Sequence, residues 1–422
     1  MADAVTHWND VLLEVIRDVG GSPCPIARGG AMMHGAVYDA VNSIVPTHEE
    51  YLVKVPASPT ASIDVAVAYA ARDTLAAAFP STTVDLVMEL NKTLGMLPPG
   101  TTAAEKAAGK AVGLAAAQAM IAARTNDGAD DNTAYVNGTK PGDWRPTEPL
   151  PDGQAASPNW PKVTPFTMTS GSQFRPPRPG GFLSKTQMLA SPEYAEQLND
   201  VKKLGRFDAT TTKNRTPEQE RIAFFWANDV DGKYKPPGQL FDITRIVSEL
   251  RDLDVVENAR LFALVALAMG DAAIVAWDAK YSTDLDLWRP ETAIKLANTA
   301  TNPNTSPDSA WAPLSVRTKN SASFRFSPPF PAYVSGHATF GAAHAAIMRR
   351  YFGTDNVTFT AQTEDPNATN MTRTFNSFTA VALENARSRV YLGVHYQWDA
   401  DHGFLSGNAL GDYVFANRLQ PL

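Results

Sequence analysis

Positive charge, small residues and two histidines recur in three short segments of the last third of the sequence. The segments are 280–290 (KYSTDLDLWRP), 331–338 (PAYVSGHA) and 388–399 (SRVYLGVHYQWD). An arginine donates paired hydrogen bonds to a tetrahedral oxyanion, and a lysine adds a point charge. Arg289, Arg389 and Lys280 are therefore candidates for a cage that binds phosphate or a phosphate analogue.

The middle segment has the features of an anion-binding helix start. Ser335-Gly336-His337 precedes a stretch of Ala, Phe and Met with helical character. The first backbone amides of such a helix point towards a bound anion, and a glycine permits close approach. The hydroxyl of Ser335 adds another donor.

The histidines of the second and third segments are predicted to have two different chemical roles. One imidazole can bond the central atom of the anion, while the other exchanges protons with its apical oxygen. Asp399 follows His395 by four residues, the helical spacing at which a carboxylate holds an imidazole in one tautomer. Taken singly, Arg289 could be a helix-end charge and Lys280 a surface lysine. Their combination with both histidines favours a site.

The elements that position these segments are predicted to be helices. Apolar residues recur at spacings of three and four in ten segments, which are 26–43, 62–79, 83–95, 102–123, 216–229, 241–251, 256–280, 335–352, 375–390 and 401–419. Ten of the 31 prolines lie in 140–181 and predict a long wrapping loop. The expected fold is all-α, with a helical bundle over 1–139, a Pro-rich linker over 140–200 and a second bundle, carrying the anion site, over 201–422.

Composition narrows the classes of partner and location. A net charge of −7 without a Lys/Arg run excludes nucleic acid as the expected partner. Cys24 is the single cysteine, so no intramolecular disulfide can form. The most apolar stretch, 261–277, is shorter than the ~20 residues that span a bilayer, so a core helix rather than a membrane helix is expected. The first residues show no cleavable signal, which favours the cytoplasm or export by a route not visible in the sequence.

The three segments resemble the signature of a superfamily that joins type 2 phosphatidic acid phosphatases, bacterial acid phosphatases and vanadium haloperoxidases. That signature is Lys-x6-Arg-Pro, then Pro-Ser-Gly-His, then Ser-Arg-x5-His-x3-Asp, and the third part matches completely. The stretches 327–333 (SPPFPAY), 335–340 (SGHATF), 8–10 (WND) and 31–40 (AMMHGAVYDA) resemble the chloroperoxidase branch of the vanadium-dependent haloperoxidases.

Two departures from this signature bear on the site. Val334 stands where the family usually has proline, and eight residues rather than six separate Lys280 from Arg289. In a continuous helix the longer gap would put the two side chains on opposite faces. The helix is therefore expected to break at 282–284, where Ser, Thr and Asp are poor helix formers.

The resemblance implies a role for each site residue. His395 would coordinate the vanadium of a vanadate cofactor, His337 would be the acid/base residue, and Glu218 would be the carboxylate that tunes His337. The oxygens of vanadate would be bound by Lys280, Arg289, Ser335, Gly336 and Arg389, and the halide would approach along Trp277, Pro328 and Phe330. Phosphate is expected to occupy the same site.

The resemblance also implies an enzymatic activity, and the same superfamily offers an alternative activity. A vanadium haloperoxidase uses hydrogen peroxide to oxidise a halide, here expected to be bromide with chloride or iodide as alternatives, to hypohalous acid that halogenates a small organic acceptor. The rival is an acid phosphatase in which His395 attacks phosphorus and His337 protonates the leaving group. A non-enzymatic phosphate-binding protein is a third class. By analogy with related proteins, a homo-oligomer is expected.

Overall fold

The computed structural model describes residues 3–147, 154–207, 214–319 and 322–422. Within them the α-helices are α1 Ala4–Val19, α2 Pro23–Ile44, α3 Ile63–Ala78, α4 Leu86–Gly95, α5 Ala103–Arg124, α6 Lys185–Ala190, α7 Pro192–Leu204, α8 Pro217–Phe225, α9 Lys235–Leu250, α10 Val255–Tyr281, α11 Pro290–Lys295, α12 Gly336–Phe352, α13 Phe378–Tyr391 and α14 Gln397–Asn417. Two antiparallel hairpins pair β1 Val316–Lys319 with β2 Ala322–Arg325, and β3 Phe359–Gln362 with β4 Thr372–Phe375. The all-α prediction is confirmed.

Each predicted helix has a counterpart, and the differences lie mostly at the ends. The helix predicted over 216–229 ends at Phe225, and Asn228 beyond it has a positive φ of 44°. Helix α9 begins earlier than predicted, at Lys235, because the following prolines fall in the first turn, where their missing N–H groups are not needed. Helices α1, α6, α7 and α11 were not predicted from the sequence.

Helix α10 is the central element of the fold. It is long and apolar enough to cross a membrane, but 94% of its most apolar window is buried inside the protein. It packs against α2 of the N-terminal half and against α12 and α14 of the C-terminal half. One hydrophobic core therefore runs from Ala4 to Leu419. The prediction of a core helix is confirmed, whereas the division at residues 139 and 200 stays a prediction.

A buried carboxylate of α10 anchors the Pro-rich segment. The Asp271 carboxylate accepts hydrogen bonds from the backbone N–H groups of Phe166 (2.7 Å), Thr167 (2.8 Å) and Met168 (3.1 Å), and from the Thr167 hydroxyl (2.5 Å). These four donors would otherwise be buried without a partner. The predicted linker thus wraps against the core along its described part, although α6 and the start of α7 also lie within 140–200, and residues 148–153 lie outside the described residues.

Replacement of Asp271 by alanine is expected to lower the free energy of unfolding by about 3 kcal/mol or more, because each buried donor left unpaired costs ~1–3 kcal/mol. Urea unfolding followed by circular dichroism measures this change. Asp130→Ala, at an exposed aspartate of a nearby turn, is the matched control and should unfold like the wild type. Equal stability of both variants would show that Asp271 does not hold the segment.

Close packing of α12 on α14 brings two of the signature segments together. A Cβ at Gly403 would lie 2.8 Å from the carbonyl oxygen of Ser335, and one at Gly411 would lie 2.6 Å from the carbonyl oxygen of Ala343. Only glycine allows the two backbones to approach this closely. At the end of the contact, the Ser335 N–H donates to the carbonyl oxygen of Asp399 at 2.9 Å. The start of α12 is thereby fixed against the first turn of α14.

Candidate oxyanion-binding site

His395 is buried and held in one tautomer. Its Nδ1 lies 2.9 Å from Oδ2 of Asp399, and its Nε2 lies 3.0 Å from Nη1 of Arg289. Arginine can only donate, so Nε2 accepts and carries the lone pair, while the proton resides on Nδ1 and is donated to Asp399. The predicted pairing of His395 with Asp399 is therefore present in the structure.

Burial and the neighbouring positive charges keep His395 neutral. Burial, followed by the positive charges of Arg289 and Lys280, lowers the pKa of His395 well below its usual value. Burial also raises the pKa of Asp399 to about 7, although Lys280 opposes that shift. A neutral imidazole with a lone pair on Nε2 is the form that can bond an electrophilic central atom.

Replacement of Asp399 by asparagine is expected to weaken binding of the tetrahedral oxyanion, with orthovanadate as the probe, by about 10- to 100-fold, the usual cost of losing the partner that orients a ligand histidine. The asparagine amide has no negative charge with which to accept the hydrogen bond from His395 Nδ1–H. Vanadium-51 NMR titration of the purified protein measures the affinity. Asp401→Asn is the control, because Asp401 lies only two residues further along α14 and its side chain is exposed. Unchanged affinity in Asp399→Asn would remove Asp399 from the site.

Two arginines close enough to interact by charge hold buried N–H groups that have no partner among the described residues. Arg289 donates from Nε to the carbonyl oxygen of Phe330 (2.7 Å) and from Nη1 to that of Val394 (2.7 Å), but its buried Nη2 has no partner among the described residues. In Arg389, Nη2 pairs with Asp229 at 2.9 Å, whereas the buried Nε and Nη1 are unpaired within the described chain. Three buried donors without partners are costly unless an anion accepts from them.

The start of α12 adds backbone donors. Ser335 is the N-cap of this helix, and its Oγ accepts from the N–H of Ala338 at 3.4 Å, so its hydroxyl proton remains available. The first amides of a helix have no intrahelical acceptor. Gly336 lines the cavity beside His395, and a Cβ there would lie 3.2 Å from the Trp277 ring. The glycine therefore keeps this helix start open to an anion.

His337 lies at the same helix start, but its partner differs from the predicted one. Its Nε2 lies 3.1 Å from the carbonyl oxygen of Trp226. The prediction that Glu218 tunes His337 is not supported, because the Glu218 carboxylate is about half exposed and paired with Arg373 (2.8 Å) and Arg221 (2.8 Å). Glu218 lies in the first turn of α8, on its exposed side. Burial, followed by the charge of Arg389, lowers the pKa of His337 to about 3.

The carboxylate that does lie near His337 is Asp229, which sequence analysis missed. Burial raises the pKa of Asp229, but the positive charge of Arg389 and its hydrogen bond outweigh that effect, so the pKa is lowered. The residue follows a helix in the pattern Trp-Ala-Asn-Asp and carries no spacing signal of its own. Its position depends on a turn after α8 that only the folded chain defines.

Lys280 is buried beside the cage, and its helix ends where expected. Helix α10 stops at Tyr281, which confirms the predicted break before Arg289. The ammonium group donates to the carbonyl oxygens of Pro331 (2.7 Å), Ala332 (3.1 Å) and Val334. All three of its protons are used on the turn that leads into Ser335. Direct contact between Lys280 and the anion stays a prediction.

A cavity of about 270 Å³ opens directly onto this cage. Its lining includes Gly336, His337, Arg389 and His395, together with the three residues predicted for the halide path, Trp277, Pro328 and Phe330. The rings of Trp277 and Phe330 lie 4.8 Å apart. The structure thus brings the predicted site residues to one place, with Glu218 as the exception.

Known proteins share this sequence pattern and fold. A family model described as "VCPO second helical-bundle domain" matches residues 260–421. Vanadium chloroperoxidase from Curvularia inaequalis is 29% identical over 295 residues, which cover 60% of this chain and 47% of that protein. The match therefore spans about half the length of this fungal relative.

Solved structures extend the likeness to nearly the whole chain. The first bacterial vanadium-dependent iodoperoxidase superposes with a TM-score of 0.77 at 26% identity, covering 98% of this chain and 96% of that one. A holo-type bacterial vanadium-dependent chloroperoxidase gives a TM-score of 0.71 at 18% identity, covering 95% and 93% of the two chains. The second likeness shows a common fold.

Proposed function

We propose that the chain is a vanadium haloperoxidase, which binds orthovanadate and uses hydrogen peroxide to oxidise bromide to hypobromous acid. Chloride and iodide are alternative halides, and iodide is named for one bacterial structural relative. The observation that carries the proposal is the buried His395, whose Nε2 accepts a hydrogen bond from Arg289 Nη1 and which feels the charges of Arg289 and Arg389. These two arginines hold three buried nitrogen atoms that have no partner among the described residues. This donor set fits a tetrahedral oxyanion.

The residues of the cage would share the binding of vanadate. His395 Nε2 would bond the vanadium, and Arg289 Nη2 with Arg389 Nε and Nη1 would donate to its oxygens. The Ser335 hydroxyl and the amide of Gly336 would donate from the helix start. When bound, vanadate(V) supplies a Lewis acid that activates hydrogen peroxide towards attack by halide.

The remaining residues of the cavity would handle protons and halide. His337 is neutral at neutral pH, and its imidazole can take a proton from hydrogen peroxide and return it to the departing oxygen. Trp277 and Phe330 narrow the cavity with apolar faces and so exclude water beside the cage. Lys280 holds the 331–334 turn and adds positive charge next to His395.

Bromination of a phenol-type dye by the purified protein tests the proposal. Hydrogen peroxide and bromide are supplied with and without orthovanadate, and phosphate is added as a competitor for the same cage. We expect bromination that requires vanadate and is suppressed by phosphate. Parallel assays with chloride and iodide rank the halides.

The acid phosphatase is the competing outcome of the same experiment. Hydrolysis of a nitrophenyl phosphate that vanadate inhibits, without any halide oxidation, would overturn the haloperoxidase proposal and leave the oxyanion cage in place. Binding of phosphate without either reaction would indicate a binding protein.

A further inference from the structure

The cavity above the cage is larger than hydrogen peroxide and a halide ion require. Its volume is about 270 Å³, whereas a cavity of about 150 Å³ is enough to hold benzene. A cavity of this volume therefore has room for one substituted aromatic ring. Because His337, Arg389 and His395 line the floor of this cavity, a ring bound there would lie next to the site of halide oxidation.

Most of the cavity wall is apolar. Its apolar part includes Pro23, Pro236, Phe326, Pro328, Pro329 and Phe330, and the lining also contains the polar residues Ser22, Asp229 and Asp231. The apolar side chains come from the start of α2, the start of α9 and the segment after β2, so the wall exists only in the folded chain. Proline and phenylalanine faces bury an aromatic ring without leaving a polar group unpaired.

The outer end of the cavity carries an excess of positive charge. Asp231 is 56% exposed and accepts from two cations, Lys235 at 2.6 Å and Arg317 at 3.1 Å. One carboxylate shared by two cations leaves a net positive charge. Lys235 is buried, whereas Arg317 is 33% exposed, so Arg317 is the group that can meet an incoming anion. Its planar guanidinium matches a carboxylate.

We propose that this cavity binds a small aromatic carboxylate as the organic acceptor, with its ring between the proline and phenylalanine faces and its carboxylate on Arg317. The inference rests on the proposed function. In the halogenation step a ring carbon attacks the bromine of hypobromous acid, the carbon–bromine bond forms and the oxygen–bromine bond breaks. The ring proton then combines with the released hydroxide to give water. A ring held in one orientation reacts preferentially at the position facing the floor.

Calorimetric titration with 3-hydroxybenzoate tests binding without turnover. The protein is first loaded with orthovanadate, checked by vanadium-51 NMR, so that the carboxylate cannot occupy Arg289 and Arg389, and peroxide is left out. We expect saturable binding that is about fivefold weaker in Arg317→Gln, the size of a partly exposed ion pair. Arg325→Gln is the matched control, because Arg325 lies on the same hairpin over Phe207 and outside the cavity lining.

The control variant should bind like the wild type, and the neutral methyl ester should bind more weakly than the acid. Absence of saturable binding, or equal affinities in the wild type and Arg317→Gln, would overturn the inference. Failure to load vanadate would overturn the proposed function and this inference with it.

The ratio of brominated isomers provides the second readout. Products of 3-hydroxybenzoate formed by the vanadate-loaded enzyme are compared with those formed by reagent hypobromous acid. We expect the enzyme to change the isomer ratio by about threefold or more, and Arg317→Gln to return it towards the reagent ratio. Identical isomer ratios, with vanadate-dependent bromide oxidation intact, would overturn the proposed acceptor site but would not contradict the proposed function.

Discussion

Replacement of His395 by alanine is expected to weaken orthovanadate binding by more than about 100-fold, since loss of a mere orienting partner already costs ~10- to 100-fold. The Nε2 atom of His395 carries the lone pair, which accepts from Arg289 Nη1, and the charges of Arg289 and Arg389 act on this imidazole. Without it the arginines can still attract the anion, but nothing bonds its central atom. Vanadium-51 NMR titration and vanadate-dependent bromination measure the two consequences.

The control for this variant is His48→Ala, since His48 hydrogen bonds the neighbouring Thr47 near the protein surface and lies far along the chain from the cage. Phosphate binding gives a further comparison, because the arginine donors should retain part of it. Vanadate affinity that survives in His395→Ala would show that the anion is bound elsewhere.

Replacement of His337 by alanine is expected to lower the rate of bromide oxidation by about 10²- to 10⁴-fold, the usual contribution of a positioned acid/base group. Its imidazole lines the cavity beside Arg389, yet its Nε2 is occupied by the Trp226 carbonyl rather than by the cage arginines. Vanadate affinity should therefore change by less than about 10-fold. Steady-state kinetics at fixed vanadate saturation separate the two effects.

His7→Ala, at a histidine of α1 that pairs with Glu89, is the control for general effects of losing a histidine. An equal loss of vanadate affinity and activity in His337→Ala would place His337 among the anion ligands. Full activity would exclude it from proton transfer.

Sequence spacing predicted side-chain contacts best where both partners lie within one short segment. His395 and Asp399 are four residues apart, but His395 precedes the N-cap of α14, so their hydrogen bond forms across the helix start rather than within a helix. The Ser335 cap is equally local. The periodic apolar residues likewise predicted the helices that carry these segments, because burial of one helical face is encoded at short range.

Partners from distant segments were predicted poorly when they lacked a motif. The resemblance predicted that Glu218 tunes His337, but its carboxylate pairs with Arg373 and Arg221 instead. Asp229, eleven residues later, reaches Arg389 because the chain leaves α8 at Phe225 and turns inward. Which of two neighbouring acids faces the site depends on the direction of a loop, and composition does not encode that direction.

By itself the sequence determined the helical class, the break between Lys280 and Arg289, and the identity of the histidines and arginines of the cage. Only the tertiary structure decided how these groups are used. It directs the protons of Lys280 to three carbonyl groups and leaves three arginine nitrogen atoms without a partner among the described residues. It also builds a cavity wall from segments as distant as Pro23 and Pro328. The physical reason is that hydrogen-bond satisfaction and cavity shape depend on contacts across the whole core, whereas helix periodicity and motif spacing are properties of short stretches of chain.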